Sequence, residues 1–414
     1  MQERIFQALT VGDTPAALRM ARQWVATEPH RGSSWLVLSA VLGRMGSYRE
    51  AEQAAQRAAA AGSAITRGVK GGRPRVLTLI SLESAWCGYQ AGRGLSFPNT
   101  ADVNDGLHSS MSETFIALDG SQIPWETIRR GGPFDVIFNG ITVAERTEES
   151  LRHVSMIAKE LGLPMINDPG RVARTTRTEN SRQLDNLPDV RFPQTVAVPL
   201  TRRGRGASEE LLSTIEREEF TYPLIVRWSG YQGGTGMVRC LGPDDVRQLR
   251  WPRHIDEALI IEYIETRADD GHYRKLRIFC VGNQLIPRHL LIGDVWMLHV
   301  TDSSGTAYRN VPGPERDEIL AFDADWEAWA GQRAAAGARQ VRDAVALDFF
   351  GIDCNVLPDG RLLVFEANPA MNLQVIDALS ATSSEENPVR RINTRRTLQI
   401  ARAFADLVRA RSRY

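Results

Sequence analysis

The sequence feature that most constrains the fold is a pair of apolar stretches near the C-terminus, within GIDCNVLPDGRLLVFEAN at residues 351–368. Their composition is typical of β-strands, and we predict strands at about 352–357 and 361–366. The intervening Pro-Asp-Gly at 358–360 favours the tight turn of a hairpin. The chain is therefore expected to place two antiparallel strands side by side, each with an acidic residue in an otherwise apolar run.

Three oxygen-bearing side chains belong to this hairpin. Asp353 lies near the start of one strand, Glu366 at the end of the other, and Asn368 two residues later. Antiparallel pairing brings all three to one end of the sheet. Such hard oxygen ligands suit Mg²⁺, which is usually shared with substrate phosphates. The alternative is that the two acids cap strands or pair with arginines, because buried carboxylates need partners that offset their desolvation.

A glycine-rich turn follows another apolar strand, in YPLIVRWSGYQGGTGM at residues 222–237. The strand ends near Arg227. Backbone N–H groups at glycine approach a phosphate without hindrance from Cβ, and a cation at the strand end neutralises its charge. A plain β-turn is the alternative interpretation. The spacing matches neither a P-loop nor a dinucleotide-binding GxGxxG motif. The glycines are Gly230, Gly233, Gly234 and Gly236.

Together with IIEYI at 260–264 and the basic strand KLRIF at 275–279, these motifs resemble the ATP-grasp superfamily, nearest its glutathione synthetase-like and ribosomal-S6-modifying branches. The resemblance covers roughly residues 74–390. It implies an α/β fold, more fully an α+β ATP-grasp unit that follows a parallel α/β domain. It also implies ATP as the nucleotide and one or two Mg²⁺ ions.

The resemblance implies a nucleotide site built from several parts of the chain. Asp353, Glu366 and Asn368 would hold the metal. Arg177 and Arg227 lie where the family carries phosphate-binding lysines, so charge is retained while geometry changes. The loop with Gly233, Gly234 and Gly236 would close over the phosphates, and the backbone of Glu262 and Ile264 would bind the adenine edge.

The resemblance implies catalytic roles for Arg277, which would steady the transferring phosphoryl group, and for Arg227. His289 and His299, with Trp296 between them, are candidates for the acceptor side of the cleft, where a histidine would act as base. Arg288 is a candidate for binding a substrate carboxylate. The alternatives are a structural role for each histidine and an ordinary exposed position for Arg288. Lys275 lies where relatives carry a ribose-binding acid, so the substitutes considered are Glu265, Asp269 and Asp270.

The implied reaction is carboxylate–amine ligation through an acylphosphate, for which electrostatics and alignment suffice and no protein nucleophile is needed. The sequence has no GxSxG motif, in agreement with that expectation. Two alternatives remain open, namely a phosphotransferase acting on a hydroxyl and a non-catalytic nucleotide-binding adaptor.

The first 63 residues are Ala-rich and repeat weakly with a period of 34, so that Gly12, Ala17 and Ala21 recur as Gly46, Ala51 and Ala55. They resemble one and a half tetratricopeptide repeats, with Trp35 and Tyr48 as packing residues. So short an array cannot bury its own face. It should dock on the rest of the chain, on a second subunit in a homodimer, or on a peptide or protein substrate.

The sequence predicts four regions. They are helices at 1–66, an α/β domain at 74–170, a small lobe at 171–266 and a large lobe at 267–414. The stretch at 63–75 is predicted as a linker, because it is rich in Gly, Lys and Arg. The basic C-terminal stretch, about 388–412, is predicted as a helix packed through Ile400, Phe404 and Leu407.

The composition of the chain limits the kinds of binding partner that we expect. Lys and Arg together number 50, as do Asp and Glu, so no overall charge attracts nucleic acid or an anionic membrane. The sequence has neither a signal-like start nor a long apolar run, which favours the cytoplasm. Four isolated cysteines are expected to be reduced, mostly buried thiols.

Overall fold

The computed structural model describes residues 1–83, 85–90, 94–97, 110–202, 204–231, 234, 236–252, 255–298, 313–371, 373 and 388–412. Within them the chain forms an N-terminal helical region and three main β-sheets with covering helices. This is the predicted α/β class with an all-helical start. No helix in these ranges combines the length and apolarity that a membrane span requires.

The helical region consists of α1 (Gln2–Thr10), α2 (Thr14–Thr27), α3 (Gly32–Arg44) and α4 (Tyr48–Ala60). Each helix packs on the next. Gly12 and Gly46 both have positive φ, +83° and +77°, in the turns before α2 and α4. The periodic alanines, Ala17, Ala21, Ala51 and Ala55, are fully buried. The 34-residue period thus corresponds to two successive helix–turn–helix pairs.

The aromatic residues of this region pack differently from the prediction. Tyr48 is 54% exposed, and its ring stacks on Trp86 with a centroid distance of 4.8 Å. Trp35 is half-buried and donates its indole N–H to the Pro29 carbonyl, at 2.8 Å. The buried tryptophan is Trp24, at 4% exposure. Tyr48 therefore does not fill a groove between helices. Its ring contacts Trp86, which lies outside the helical region.

The helical region docks on the rest of the chain, which was the first of the three expected alternatives. Helices α1 and α3 face the segments at 86–90 and 94–97, whose apolar residues share one core with them. The Cys87 N–H donates to the Ser39 hydroxyl at 3.1 Å. The Tyr89 hydroxyl lies 2.6 Å from the Thr10 hydroxyl. One face of the helical region is thus covered by the chain itself.

A five-stranded sheet follows, in the order β1-β5-β2-β6-β7. All its strands are parallel except β1, which pairs antiparallel with β5 at one edge. The predicted linker at 63–75 therefore contains a strand, because Ala64–Gly68 hydrogen-bonds to β5. The elements are β1 (Ala64–Gly68), β2 (Arg75–Ser81), β3 (Gly88–Gln90), β4 (Gly94–Ser96), β5 (Ser112–Leu118), α5 (Trp125–Gly131), β6 (Val136–Asn139), the 3-10 turn Ala144–Arg146, α6 (Glu148–Leu161), β7 (Met165–Ile166), α7 (Pro169–Val172) and the 3-10 turn Ala173–Thr175.

An antiparallel four-stranded sheet comes next, in the order β11-β10-β12-β9. Two helices cover one of its faces, with apolar side chains from both the helices and the strands in a single core. The elements are α8 (Arg177–Leu184), β8 (Val190–Arg191), β9 (Thr195–Pro199), α9 (Arg205–Arg217), β10 (Leu224–Trp228), β11 (Met237–Cys240), α10 (Pro243–Gln248) and β12 (Glu257–Glu262).

The predicted hairpin lies in the third sheet, ordered β14-β13-β15-β16-β8, which we call the hairpin sheet. Strand β8 pairs parallel with β16, so a short piece of the predicted small lobe completes this sheet. The remaining elements are β13 (Tyr273–Val281), β14 (Gln284–Gly293), α11 (Pro314–Ala324), α12 (Trp326–Ala330), α13 (Gln332–Val345), β15 (Phe349–Val356), β16 (Leu362–Pro369) and α14 (Pro388–Arg411).

The C-terminal helix α14 packs on the hairpin sheet as predicted. Ile400 and Phe404 are fully buried, and Leu407 is half-buried. Phe404 contacts the rings of Phe138 and Phe349, at 4.8 Å each, so it joins the first sheet to the third. All four cysteines are buried and free, as expected for reduced thiols.

Candidate functional site

A cavity of about 480 Å³ lies between the four-stranded sheet and the hairpin sheet. The strands that bound it explain its mixed chemistry, because β10, β12 and β16 contribute both apolar and charged side chains, and β13 and β15 contribute charged ones. Most of the residues predicted for the site line it. They are Arg177, Arg227, Gly234, Glu262, Ile264, Arg277, Asp353, Glu366 and Asn368.

Three predicted residues are not among those that line the cavity. Gly233 lies outside the described residues. Gly236 is placed against the indole of Trp228. His289 lies on β14 opposite Arg277 and is buried.

The hairpin register places the predicted metal ligands together. Asp353 lies directly opposite Glu366, and Asn368 lies opposite Gly351. A β-bulge interrupts the ladder between Asp353 and Cys354. The two carboxylates therefore face the same end of the cavity, with the Asn368 amide two residues further along β16.

Asp353 is held by two cations from the neighbouring strand β13. Arg277 binds it through two nitrogens, Nε to Oδ1 at 2.6 Å and Nη2 to Oδ2 at 2.8 Å. Lys275 Nζ lies 3.3 Å from Oδ2. Burial would raise the pKa of Asp353, but the charges of Arg277 and Lys275 outweigh it and keep that pKa well below its ordinary value. Asp353 is consequently ionised at neutral pH.

Glu366 has a corresponding partner in Arg177, with Nη2 at 2.8 Å from Oε2. Burial again opposes ionisation, and the Arg177 charge outweighs it, so the pKa of Glu366 stays below its ordinary value. Arg177 also binds Glu145, with Nη1 at 3.4 Å from Oε1. The arginine pairing that sequence reasoning considered as an alternative is therefore present for both acids.

The donor set still suits Mg²⁺. Asp353 and Glu366 are ionised, Asn368 contributes an amide oxygen, and all three line one cavity. Nowhere in the described ranges do three His, Cys, Asp or Glu side chains converge as a metal site. The predicted set contains only two such residues, its third member being an amide. A metal ion that binds here would replace Arg277, Lys275 and Arg177 as the source of positive charge beside the two carboxylates.

Arg227 differs from the other cations of the cavity. It is 6% exposed, its Nη2 donates to the Tyr231 carbonyl, and its Nε has no hydrogen-bond partner among the described residues. No carboxylate of the described chain forms an ion pair with it. Burial and the Arg177 charge lower the pKa of Arg227 to about 9, so the guanidinium is charged at neutral pH. A buried cation without a counterion favours an anionic ligand.

The other end of the cavity is apolar and lies beside the predicted adenine-binding segment. The Glu262 N–H already donates to the Gln194 carbonyl at 2.9 Å. Its carboxylate accepts from the Gln194 N–H at 3.0 Å and from Arg191. Ile264 lies beyond the end of β12 and lines the wall. Apolar residues of the cavity lining include Ile225, Met237, Ile261, Phe365 and Met371.

Sequence reasoning missed an aromatic group at this end. The Tyr263 and Trp296 rings meet edge to face, with centroids 6.0 Å apart. The Arg239 guanidinium lies over both rings, at 5.1 and 5.7 Å. Trp296 was predicted to lie on the acceptor side, but the structure places it against Tyr263, within the segment that was predicted to bind adenine. No local pattern signals this contact, because the three residues come from three separate elements.

The predicted base, His289, does not line the cavity. It is 4% exposed, and neither ring nitrogen has a hydrogen-bond partner in the part of the chain that is described. Burial, together with the charge of Arg277, keeps the pKa of His289 well below its ordinary value. The ring is neutral and faces protein. His299 lies outside the described residues.

The remaining candidates have structural partners. Arg288 is 1% exposed and donates to the Leu373 carbonyl at 2.9 Å, so it pins the chain after the hairpin. Glu265 accepts the N–H groups of Thr266 and Arg267, both at 2.9 Å. Neither residue lines the cavity, and the same holds for Asp269 and Asp270. Lys275, by contrast, lines it beside Asp353.

Comparison with known proteins gives structural likeness alone. No protein-family profile matches the chain, and no curated protein matches its sequence. It aligns with a RimK-domain ATP-grasp protein from Sphaerobacter thermophilus, over 81% of this chain and 99% of that one, with 14% identity and a TM-score of 0.44. It also aligns with the VanG D-Ala:D-Ser ligase of Enterococcus faecalis, over 80% and 99%, with 12% identity and a TM-score of 0.44.

Proposed function

We propose that the chain is an ATP- and Mg²⁺-dependent ligase of the ATP-grasp type, which activates a carboxylate as an acylphosphate and joins it to an amine. The observation that carries this proposal is a single cavity that favours both an anionic and a cationic ligand. Among the described residues, Arg227 is a buried cation without an ion-pair partner, and Asp353 lies opposite Glu366, so that two carboxylates face the same cavity. A metal–polyphosphate complex satisfies both at once.

In this proposal the chain's own residues align the substrates and neutralise the charge of the phosphates. Arg227 and Arg177 bind phosphate oxygens, since both are buried guanidinium groups at the same wall. Arg277 stabilises charge on the transferring phosphoryl group from beside Asp353. Asp353, Glu366 and Asn368 hold Mg²⁺, which when bound supplies positive charge that offsets the negative charge of the phosphates.

The apolar end of the cavity supports a nucleotide rather than inorganic polyphosphate. Ile225, Ile261 and Phe365 are apolar side chains that line the cavity together with residues 262–264. A purine base buries its faces on such side chains and its edge on backbone groups. The cavity volume of about 480 Å³ is that of a small-molecule site.

For the acceptor we propose an amino-acid-like, peptide or protein amine. The N-terminal helices support a macromolecular acceptor only through the surface that stays exposed, because α1 and α3 already pack on residues 86–90 and 94–97. His289 is left out of the mechanism, since it does not reach the cavity.

The deciding experiment incubates the chain with ATP, Mg²⁺ and pools of carboxylates and amines, while ADP, phosphate and product mass are followed. Ligation requires phosphate release that depends on both a carboxylate and an amine, with a product lighter by one water than their sum. Transfer of a phosphoryl group to a hydroxyl without phosphate release would replace the ligase by a kinase. Tight Mg·ATP binding without any turnover would indicate an adaptor.

A further inference from the structure

We propose that Arg146 is a positioning residue, which fixes the start of the glycine-rich segment and, through it, Arg227. The inference rests on the proposed function in that Arg227 is taken to bind phosphate. Arg146 ends the 3-10 turn Ala144–Arg146 after β6, in the parallel α/β sheet region. Arg227 and Gly230 belong to the four-stranded sheet region and its exit. The contact therefore crosses between two parts of the fold.

The first contact is between Arg146 and Gly230. Gly230 has a φ of +73°, and a Cβ at this position would lie 2.3 to 2.7 Å from Nε, Cδ and Cγ of Arg146. The arginine side chain thus lies directly on the Gly230 backbone, in space that every other residue type would occupy. This close approach fixes where the chain leaves β10.

The second contact is electrostatic. The Arg146 guanidinium lies over the Tyr231 ring, 4.8 Å from its centroid. Within the described residues no carboxylate lies at ion-pair distance from Arg146. The main electrostatic contact of its guanidinium is therefore with the face of the Tyr231 ring. The Tyr231 carbonyl in turn accepts the hydrogen bond from Arg227 Nη2. Arg146 thereby acts on Arg227 through one intervening residue.

The residue before it performs a parallel task. Glu145 Oε1 accepts from the Arg177 backbone N–H at 3.2 Å and from Nη1 at 3.4 Å. Two consecutive side chains of one short turn therefore act on the two buried cations proposed to bind phosphate, Glu145 directly on Arg177 and Arg146 on Arg227 through Tyr231. Arg177 also has Glu366 as a partner, whereas the contact through Tyr231 is the hydrogen bond recorded for Arg227. Arg146 is consequently the more sensitive member of the pair.

The test compares Arg146→Ala and Arg146→Lys with Arg152→Ala in the full chain. Arg152 is an exposed arginine of the neighbouring helix α6, paired with Glu149 and remote from the glycine-rich segment. Two quantities are measured: the Kd of a non-hydrolysable ATP analogue with Mg²⁺, and amide hydrogen exchange of a peptide covering 224–231 without nucleotide. The melting temperature is recorded for every variant.

Arg146→Ala is expected to speed exchange at the end of β10 and to raise the analogue Kd by about tenfold, equal to about 1.4 kcal/mol. Arg146→Lys should recover most of both effects, and Arg152→Ala should change neither. Unchanged exchange in Arg146→Ala would overturn the proposal, as would a lowered melting temperature with an unaltered Kd. If the wild-type chain binds no analogue, the proposed function fails, and the exchange measurement still decides the role of Arg146.

Discussion

At the scale of single residues, the site is a balance of buried charges. Asp353 and Glu366 each have a cationic partner. Arg227, by contrast, has no carboxylate partner at ion-pair distance among the described residues. A buried charge that loses its partner is costly, and one that lacks a partner favours a ligand that supplies it. Substitutions of these residues should therefore separate stability from ligand binding.

Glu366→Ala should abolish turnover while the chain stays folded. The variant loses one of two carboxylates proposed for Mg²⁺, and we expect kcat to fall by at least about 100-fold. Initial rates of ADP formation under saturating ATP provide the measurement, with Glu327→Ala, an exposed acid on α12, as the control. Near-normal ADP formation in Glu366→Ala would remove the metal site from the mechanism.

Arg227→Ala should weaken nucleotide binding by roughly 10- to 100-fold, because a charge-assisted hydrogen bond contributes about 1.5–3 kcal/mol. Calorimetric titration with Mg²⁺ and an ATP analogue measures the Kd. Arg247→Ala, which changes a 53% exposed arginine in the same sheet region, is the matched control. An affinity equal to that of the wild type would exclude Arg227 from the site.

Asp353→Asn should destabilise the ligand-free chain by about 3–5 kcal/mol, because Arg277 and Lys275 then lose their counterion. The variant should also flatten the acid dependence of stability. A carboxylate whose folded pKa lies below its unfolded value stabilises above the unfolded value, near 3.9, and loses that stabilisation as pH falls through the folded pKa. Urea unfolding at pH 3.5 and 7 tests both statements, and parallel pH profiles for variant and wild type would contradict them.

At the scale of elements, close backbone approach decides which helix can cover which strand. Helix α13 crosses the chain just before β8 at Gly337, where a Cβ would lie 2.5 Å from the Asp189 carbonyl oxygen. The same approach lets Gln340 donate to the Asp189 carboxylate at 2.8 Å. The position of β8, and with it the edge of the hairpin sheet, depends on this contact.

Gly337→Ala should consequently lower the free energy of unfolding by about 1–3 kcal/mol, despite the higher helix propensity of alanine. Chemical denaturation measures the change, and Gln332→Ala, at an exposed position of the same helix, should stay within about 0.5 kcal/mol of the wild type. A stabilised Gly337→Ala variant would show that α13 and β8 are less closely packed than described.

At the scale of the whole molecule, the N-terminal helices are part of the core rather than a separate appendage. Phe115 of β5 and Leu82, Leu95 and Phe97 share one apolar cluster with α1–α4. Removal of the helices would expose that cluster to water. The proposed role of this region in recruiting an acceptor must therefore be separated from its contribution to stability.

A chain truncated to residues 61–414, which keeps β1 intact, should melt more than about 5 °C lower than the full chain and should aggregate. Differential scanning calorimetry measures the transition. Tyr48→Ala, which changes one exposed ring at the same junction, should shift it far less. A truncated chain with unaltered melting and full modification of its acceptor would exclude both roles for the helices.

Several features of the fold could be predicted from local sequence. Apolar stretches joined by Pro358-Asp359-Gly360 identified a hairpin whose strands prove to be Phe349–Val356 and Leu362–Pro369. A 34-residue spacing of glycine and alanine indicated paired helices, and the apolar spacing of Ile400 and Phe404 indicated the packed face of α14. These signals are local, because turn chemistry and side-chain periodicity act over a few residues.

Only the tertiary structure decided the partners of those elements. Arg177 and Glu366 are 189 residues apart in sequence, and Arg277 and Asp353 are 76 apart. Neither pair leaves a local pattern, and the same is true of the Trp296 contact with Tyr263. The sequence by itself determined which side chains lie at one end of the hairpin, since strand pairing dictates that. Which cations face them, and that Arg227 has no carboxylate at ion-pair distance among the described residues, depends on how the three sheets pack together.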